Sequence, residues 1–324
     1  MIKAPILRVF SVMICLFMVL ACGISSAPKY NVREPESCKL NFAVLSDSHI
    51  EGNNFARYKV FERSLQNLKK NESGHDAVVF LGDNTMNGQN IENMLFHGTV
   101  GMLLKDETVL PVVGNHDIGN GQGDYDTLRN RWYDYTYAFF GKELDTPYYY
   151  EVIDGCYFIV LGPEEQLVHE MYMTEAQYTW LEGVLDKAAG SGKPTFVFCH
   201  YPSDYMIDEN EDETERLIDM LAAYNETNDL FYFCGHTHMP LFQFWSFHNF
   251  DGYPETYLPR LTELAGSGDN EIFERSGVGV EVEVYENEVV IRGRNFYTGE
   301  WLEDEDGPGG FCEVTYPLKN AFAE

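Results

Sequence analysis

Five short apolar runs, each ending abruptly in side chains that bind metal ions, limit what this chain of 324 residues can fold into. The runs are Leu40–Leu45, Ala77–Leu81, residues 109–113, residues 195–199 and Leu230–Cys234. Each is predominantly apolar rather than alternating, which is the pattern of a strand buried on both faces, as in a parallel sheet. Each is followed by a polar cluster: Asp47-Ser48-His49, Gly82-Asp83-Asn84, Gly114-Asn115-His116-Asp117, His200-Tyr201-Pro202 and Gly235-His236-Thr237-His238. Open α/β sheets place their sites in loops at the carboxyl ends of strands, so five such loops predict one shared pocket.

Helical periodicity fills the gaps between runs. Residues 55–70 place Val60, Phe61, Leu65 and Leu68 on one face, and Glu175–Ala189 does the same with Tyr178, Leu181 and Leu185 behind an N-cap at Thr174. A third helix is expected over 213–224. Hairpins interrupt the alternation: residues 148–153 and 157–161 flank Asp154-Gly155, and residues 278–285 turn through Glu286-Asn287 into 289–294. The expected architecture is α/β, a four-layer sandwich of two mixed β-sheets flanked by helices. No interior linker or repeat divides the chain, and one large domain is the simpler reading.

The amino terminus follows different rules. Lys3 and Arg8 precede an uncharged run over residues 9–21, too short to span a bilayer comfortably and suited to the apolar region of a signal peptide. It ends in Val19-Leu20-Ala21-Cys22-Gly23, which resembles a bacterial lipobox with Cys22 as the lipidated residue. The expected organisation is a signal peptide at 1–21, a lipidated tether at 22–38, the main domain at 39–296 and a C-terminal extension at 297–324. The product is then exported and anchored to a membrane through Cys22, or, with ordinary cleavage, secreted.

Formal net charge is −30 and no basic patch is present, so nucleic acid is not an expected partner. Seven cysteines include Cys15 and Cys22; the remaining five, an odd number, cannot pair completely. Cys199 and Cys234 end buried runs and read as free thiols, whereas Cys38 and Cys312 could bridge the two ends.

Carboxylate, amide and imidazole together suit Mn, Fe or Zn. Asp47 and His49 lie two residues apart, as do His236 and His238, so each pair points to one side of an extended strand end. Any one cluster is ordinary loop chemistry. Five of the nine histidines falling inside them is not, since packing alone gives no reason for it.

The ordered set Asp-x-His, Gly-Asp, Gly-Asn-His-Asp, lone His and Gly-His-x-His resembles the calcineurin-like metallophosphoesterases over residues 39–296. The stretch from Met173 to Leu181 is similar to that family's helix before the lone-His strand. The resemblance implies a dinuclear site: Asp47, His49 and His238 on one divalent ion, Asn115, His200 and His236 on the other, and Asp83 bridging. It implies in-line attack on phosphorus by a hydroxide between the metals, with His116 hydrogen-bonding the phosphate and helping to protonate the leaving oxygen. Asp117 would orient His116, or serve only as a cap.

Two departures narrow the branch. Met86 stands where purple acid phosphatases carry a metal-binding Tyr, and those enzymes lack a counterpart of His49. The phosphate-gripping arginines of calcineurin-type protein phosphatases have Arg129 and Arg131 as their only nearby counterparts. The double-His ending resembles bacterial phosphodiesterases. Substrate choice would fall to three segments, at 118–140, 202–212 and 239–258, whose aromatic residues either stack on a substrate or pack as lid and core. The expected activity is hydrolysis of a small-molecule phosphate monoester or diester. The alternatives are a protein, lipid or cell-wall phosphoesterase, or a surface lipoprotein that binds metal without catalysis.

Overall fold

The structure is a computed structural model that describes residues 23, 25–210, 212–243, 245–264, 272 and 275–322. The expected signal peptide and the lipidated Cys22 lie outside the described residues. Among those described, no helix is long and apolar enough to cross a membrane.

In chain order the first half runs β1 (Leu40–Leu45), α1 (Phe55–Leu68), β2 (Ala77–Leu81), α2 (Asn90–Leu103), β3 (Thr108–Val112) and α3 (Tyr125–Phe140). A hairpin of β4 (Tyr149–Ile153) and β5 (Cys156–Val160) follows, then β6 (Met171–Tyr172), α4 (Glu175–Ala189), β7 (Thr195–Phe198), β8 (Met206–Ile207), α5 (Arg216–Asn225) and β9 (Leu230–Cys234). The remainder is β10 (Phe247–His248), β11 (Glu255–Tyr257), β12 (Val278–Val284), β13 (Glu288–Asn295), β14 (Glu300–Trp301) and β15 (Glu313–Pro317).

Two mixed sheets result. The first has the order β14-β13-β12-β1-β2-β3, with β15 also pairing with β13; the second has the order β10-β11-β9-β7-β5-β4. Within them β1, β2 and β3 are mutually parallel, as are β5, β7 and β9. The sheets meet through an aromatic core. Phe42 on β1 stands edge-on to Phe158 and Phe196 of the second sheet, with ring centroids 4.9 Å apart in both cases. The outer face of the first sheet packs on α1, α2 and α3, and that of the second on α4 and α5. This is the expected four-layer α/β sandwich of two mixed sheets flanked by helices.

Three expectations change. The aromatic segment at 118–140 is mostly the helix α3, capped by the Asp124 side chain on Thr127 N and closed by Gly141 in a left-handed conformation. Its Trp132 is fully buried and stacks on Phe96 of α2, so this aromatic is core rather than substrate surface. Residues 25–38 are not a free tether. Tyr30 Oη donates to Glu281, Arg33 N to Glu283 and Glu34 N to Tyr285, so the segment adds donors to the buried glutamates of β12 beside those from His75 and Arg292. Finally, Cys38 and Cys312 are both free thiols and form no bridge.

Candidate metal centre

Parallel pairing of β1, β2 and β3, and of β7 with β9, puts the carboxyl ends of all five strands along one edge of the sandwich. Leu45, Leu81, Val112, Phe198 and Cys234 end those strands, and the polar clusters begin one or two residues later. Close approach at this edge depends on glycine. A Cβ on Gly114 would collide with the Asp83 carboxylate, and one on Gly235 with the side chains of Ser46 and Asp47.

The clusters converge. Ligand-type atoms of Asp47, His49, Asp83 and His238 all lie within 4.8 Å of one another, and so do those of Asp83, His200 and His236. Asp83 belongs to both groups. Its Oδ2 lies 3.3 Å from His200 Nε2 and 3.7 Å from His49 Nε2. Asp47 Oδ1 is 3.0 Å from His238 Nε2, and the Nε2 atoms of His49 and His238 are 3.1 Å apart. On the other side, His236 Nδ1 lies 3.2 Å from Asn115 Oδ1 and 3.3 Å from His200 Nε2. The structure thus gathers all seven residues singled out in the sequence.

The backbone is strained where these side chains are presented. Among the described residues, seven non-glycine residues have positive φ, and five of them are Asp47, His49, Asp83, His236 and His238. Left-handed backbone costs an L-residue about 1–2 kcal/mol, and such strain concentrates at functional sites.

Electrostatics show what the cluster lacks. Burial disfavours charge on Asp47 and Asp83, but the surrounding histidines, His200 foremost, hold both carboxyls below the usual range. Burial also works against charge on His200, yet Asp83 and then Asp47 keep its pKa at about 9. Burial drives His49 down to about 3 and His236 to about 4. Among the described residues His49 Nδ1 is buried with no hydrogen-bond partner, and Asp47 Oδ1 has only the 3.0 Å ion contact with His238 Nε2. Two carboxylates and mostly neutral imidazoles turned towards one another fit divalent cations, which such donors bind in their deprotonated forms.

His116 and Asp117 part company. His116 Nδ1 donates to Met86 O at 2.7 Å, its ring is edge-on to His49, and its Nε2 is 3.9 Å from Asp83 Oδ2. Among the described residues Asp117 forms no hydrogen bond or ion pair with that ring. Its carboxylate accepts from Asn84 N and Nδ2, Thr85 N and Oγ1, and Gly114 N, tying the Asp83 turn to the Asn115 turn. Burial, and next the charge of Asp83, raise its pKa to about 7 against those five donors. The orienting role expected of Asp117 belongs to the Met86 carbonyl.

Residues 40–240 match the family described as Calcineurin-like phosphoesterase. The chain is a calcineurin-like phosphoesterase. It is 27% identical over 216 residues to a probable glycerophosphodiester phosphodiesterase, GpdQ, of Arcobacter nitrofigilis, covering 62% of this chain and 73% of that one. A dimetal phosphatase from Danio rerio shares the fold with a TM-score of 0.56 at 16% identity, over 87% of this chain and 100% of the other. Purple acid phosphatase PPD1 from yellow lupin, Lupinus luteus, aligns with the same TM-score at 15% identity, over 85% of this chain and 53% of its own. As a calcineurin-like phosphoesterase the chain is a metal-dependent hydrolase of phosphate esters.

Around the centre of this phosphoesterase, Arg129 and Arg131 are otherwise engaged. Arg129 pairs with Asp126 and lies over Tyr125, and Arg131 donates to Gly88 O. Two arginines that sequence reasoning missed approach instead. Arg57, in the first turn of α1, donates to His49 O at 3.4 Å, and Arg260 is close enough to Asp47, Asp83 and His49 to act on them electrostatically. No local signal marks either one, because Arg260 lies 22 residues beyond the last histidine of the site. Tyr201 and Tyr205 frame His236, with ring centroids 4.8 Å and 5.9 Å away. Tyr205 also lines an acidic cleft of about 800 Å³ with Glu170, Asp204 and Glu213. A second cavity, of about 560 Å³, begins at Pro240 and is floored by Leu241, Phe242 and Leu302.

Proposed function

We propose that this protein hydrolyses small-molecule phosphodiesters at a dinuclear centre, outside the cytoplasm. The observation that carries the reading is the sharing of Asp83 between two ligand groups, a layout suited to two ions and one bridging carboxylate. Asp47, His49 and His238 would hold one divalent ion, Asn115, His200 and His236 the other, with Mn, Fe and Zn the metals that suit this donor set. Such ions, when bound, supply an activated water and neutralise the charge that builds on the phosphoryl oxygens.

The chain's own residues do the rest. The Met86 carbonyl accepts a hydrogen bond from His116 Nδ1–H and turns Nε2 to the centre, where Nε2, when it also carries a proton, would donate to the phosphoryl group or pass that proton to the leaving oxygen. Asp117 keeps the Asp83 and Asn115 turns in register. The preference for a diester is supported by the Arcobacter relative, and the two cavities beside the centre have room for a small leaving group. Export is supported by Lys3 and Arg8 ahead of an uncharged run, and anchoring through Cys22 by the Val19-Leu20-Ala21-Cys22 sequence.

Full chain stripped of metal and reloaded with Mn, Zn, Fe or Mg is assayed on bis-p-nitrophenyl phosphate and p-nitrophenyl phosphate. Faster turnover of the diester is expected. Faster turnover of the monoester overturns the diester preference, and no hydrolysis with any metal leaves a metal-binding protein without catalysis. Hydrolysis that survives Asp83→Ala or His238→Ala unchanged removes the assignment of the ligands.

A further inference from the structure

Two half-buried guanidiniums beside the centre form no ion pair among the described residues. Arg57 Nε and Arg260 Nε are both buried and without an acceptor. Arg57 has only long contacts, to His49 O at 3.4 Å and Met86 Sδ at 3.9 Å. Arg260 forms no hydrogen bond or ion pair among the described residues; Asp47 and Asp83, and after them Glu263 and Glu51, act on it electrostatically, but none pairs with it.

Their placement is fixed from both sides of the same turn. Leu261 N donates to Ser46 O and Thr262 Oγ1 to Ser48 O, which clamps the Arg260 loop against Asp47-Ser48-His49. Arg57 reaches the carbonyl of His49 from α1. The two cations also act on each other: burial first, and Arg260 second, lower the Arg57 pKa to about 10. Holding like charges together in a partly desolvated place is unfavourable unless an anion joins them. Met86 links this place to the chemistry, since its sulfur touches Arg57 and its carbonyl holds His116.

We propose that Arg57 and Arg260 form a guanidinium pair that grips the anionic oxygens of the substrate's phosphoryl group on the His49 side of the centre. The inference rests on the reading of the centre as a phosphoesterase site. Arginine suits the task because its planar fork donates in parallel to two phosphoryl oxygens and stays charged throughout. The pair acts on binding, and so differs from His116, which acts on the proton of the leaving group.

The test uses the full chain loaded with Mn and inorganic phosphate as the probe. Calorimetry should show phosphate binding to wild type, weakened roughly tenfold in Arg260→Gln and further in Arg57→Gln/Arg260→Gln, with Mn content and unfolding midpoint unchanged. KM should rise more than kcat falls, and Arg260→Lys should recover part of the affinity. Labelling of wild type by phenylglyoxal gives a readout without variants: phosphate should slow modification of Arg57 and Arg260 as mapped by mass spectrometry. Phosphate affinity within roughly twofold of wild type in the double variant, no phosphate binding by wild type, or labelling indifferent to phosphate each overturns the proposal. Failure of the parent reading is recorded separately, as absence of ester hydrolysis by the loaded wild type.

Discussion

The Nδ1 of His116 lies 2.7 Å from the carbonyl oxygen of Met86, which accepts its proton and turns Nε2 towards Asp83 and the centre. A backbone acceptor holds the ring through Nδ1–H without adding charge and leaves Nε2 to carry the proton that is donated. That suits a residue which must hydrogen-bond an anion and release a proton in the same cycle. Replacing His116 with Asn should lower kcat by roughly 10²–10⁴-fold while leaving bound metal unchanged. The loss should be larger for an alkyl leaving group than for p-nitrophenolate, which needs no proton. Steady-state kinetics on the two esters, with metal analysis of the same samples, checks this.

Asp117 is expected to behave as a structural residue. Asp117→Ala leaves the buried amides of Asn84, Thr85 and Gly114 without their acceptor, which should destabilise the fold by about 3–5 kcal/mol. Denaturant unfolding should show the loss directly. Activity should then fall together with metal content, whereas a residue that oriented His116 would lower kcat with metals and stability intact.

Gly235 tests how closely the two sheets must approach. A methyl at this position is driven into Ser46 Oγ and Asp47 Oδ2, and both neighbours are buried. Gly235→Ala should cost about 1–3 kcal/mol and displace Asp47, lowering metal affinity more than Gly183→Ala, where nothing lies within 4 Å of the added atom. Competition for metal against a chelator distinguishes the two variants.

Glu255 on β11 supplies a pH dependence away from the ligands. It is buried, accepts from Ser203 N and Oγ, and burial raises its pKa to about 7. An acid whose pKa is higher folded than unfolded contributes stability that is complete below the unfolded value near 4.3 and is lost as pH rises through the folded one. Its contribution should therefore decline between about pH 4.5 and 7, by on the order of 3 kcal/mol. Glu255→Gln keeps an acceptor for Ser203 and removes the ionisation, so it should flatten this part of the stability profile and be the more stable form at pH 8. Equal slopes for wild type and variant in pH-dependent denaturation would rule the effect out.

Local pattern was enough for the elements that carry the site. Leu40–Leu45, Ala77–Leu81 and Leu230–Cys234 are strands with the expected bounds, and α4 spans Glu175–Ala189 behind its Thr174 cap. It failed at α2 and α3. In α3 the buried positions are Leu128, Trp132, Tyr135, Thr136 and Ala138, a stripe that reads as loop chemistry after three glycines until α2 is there to receive it. The aromatic segment at 239–258 divides between the two readings: Tyr253 is buried, while Trp245 and Phe250 are exposed.

The sequence by itself determined which side chains can hold metals and that they lie at one edge. Short apolar strands in parallel must end together, and whatever follows them is brought together by the sheet. Only the tertiary structure decided what surrounds them. Asp117 is taken up by the backbone amides of Asn84, Thr85 and Gly114, and its carboxylate makes no hydrogen bond to His116 among the described residues. Arg260 entered through hydrogen bonds joining Leu261 and Thr262 to a turn more than 200 residues earlier. Such contacts depend on how two sheets pack, and packing leaves no periodic trace in the chain.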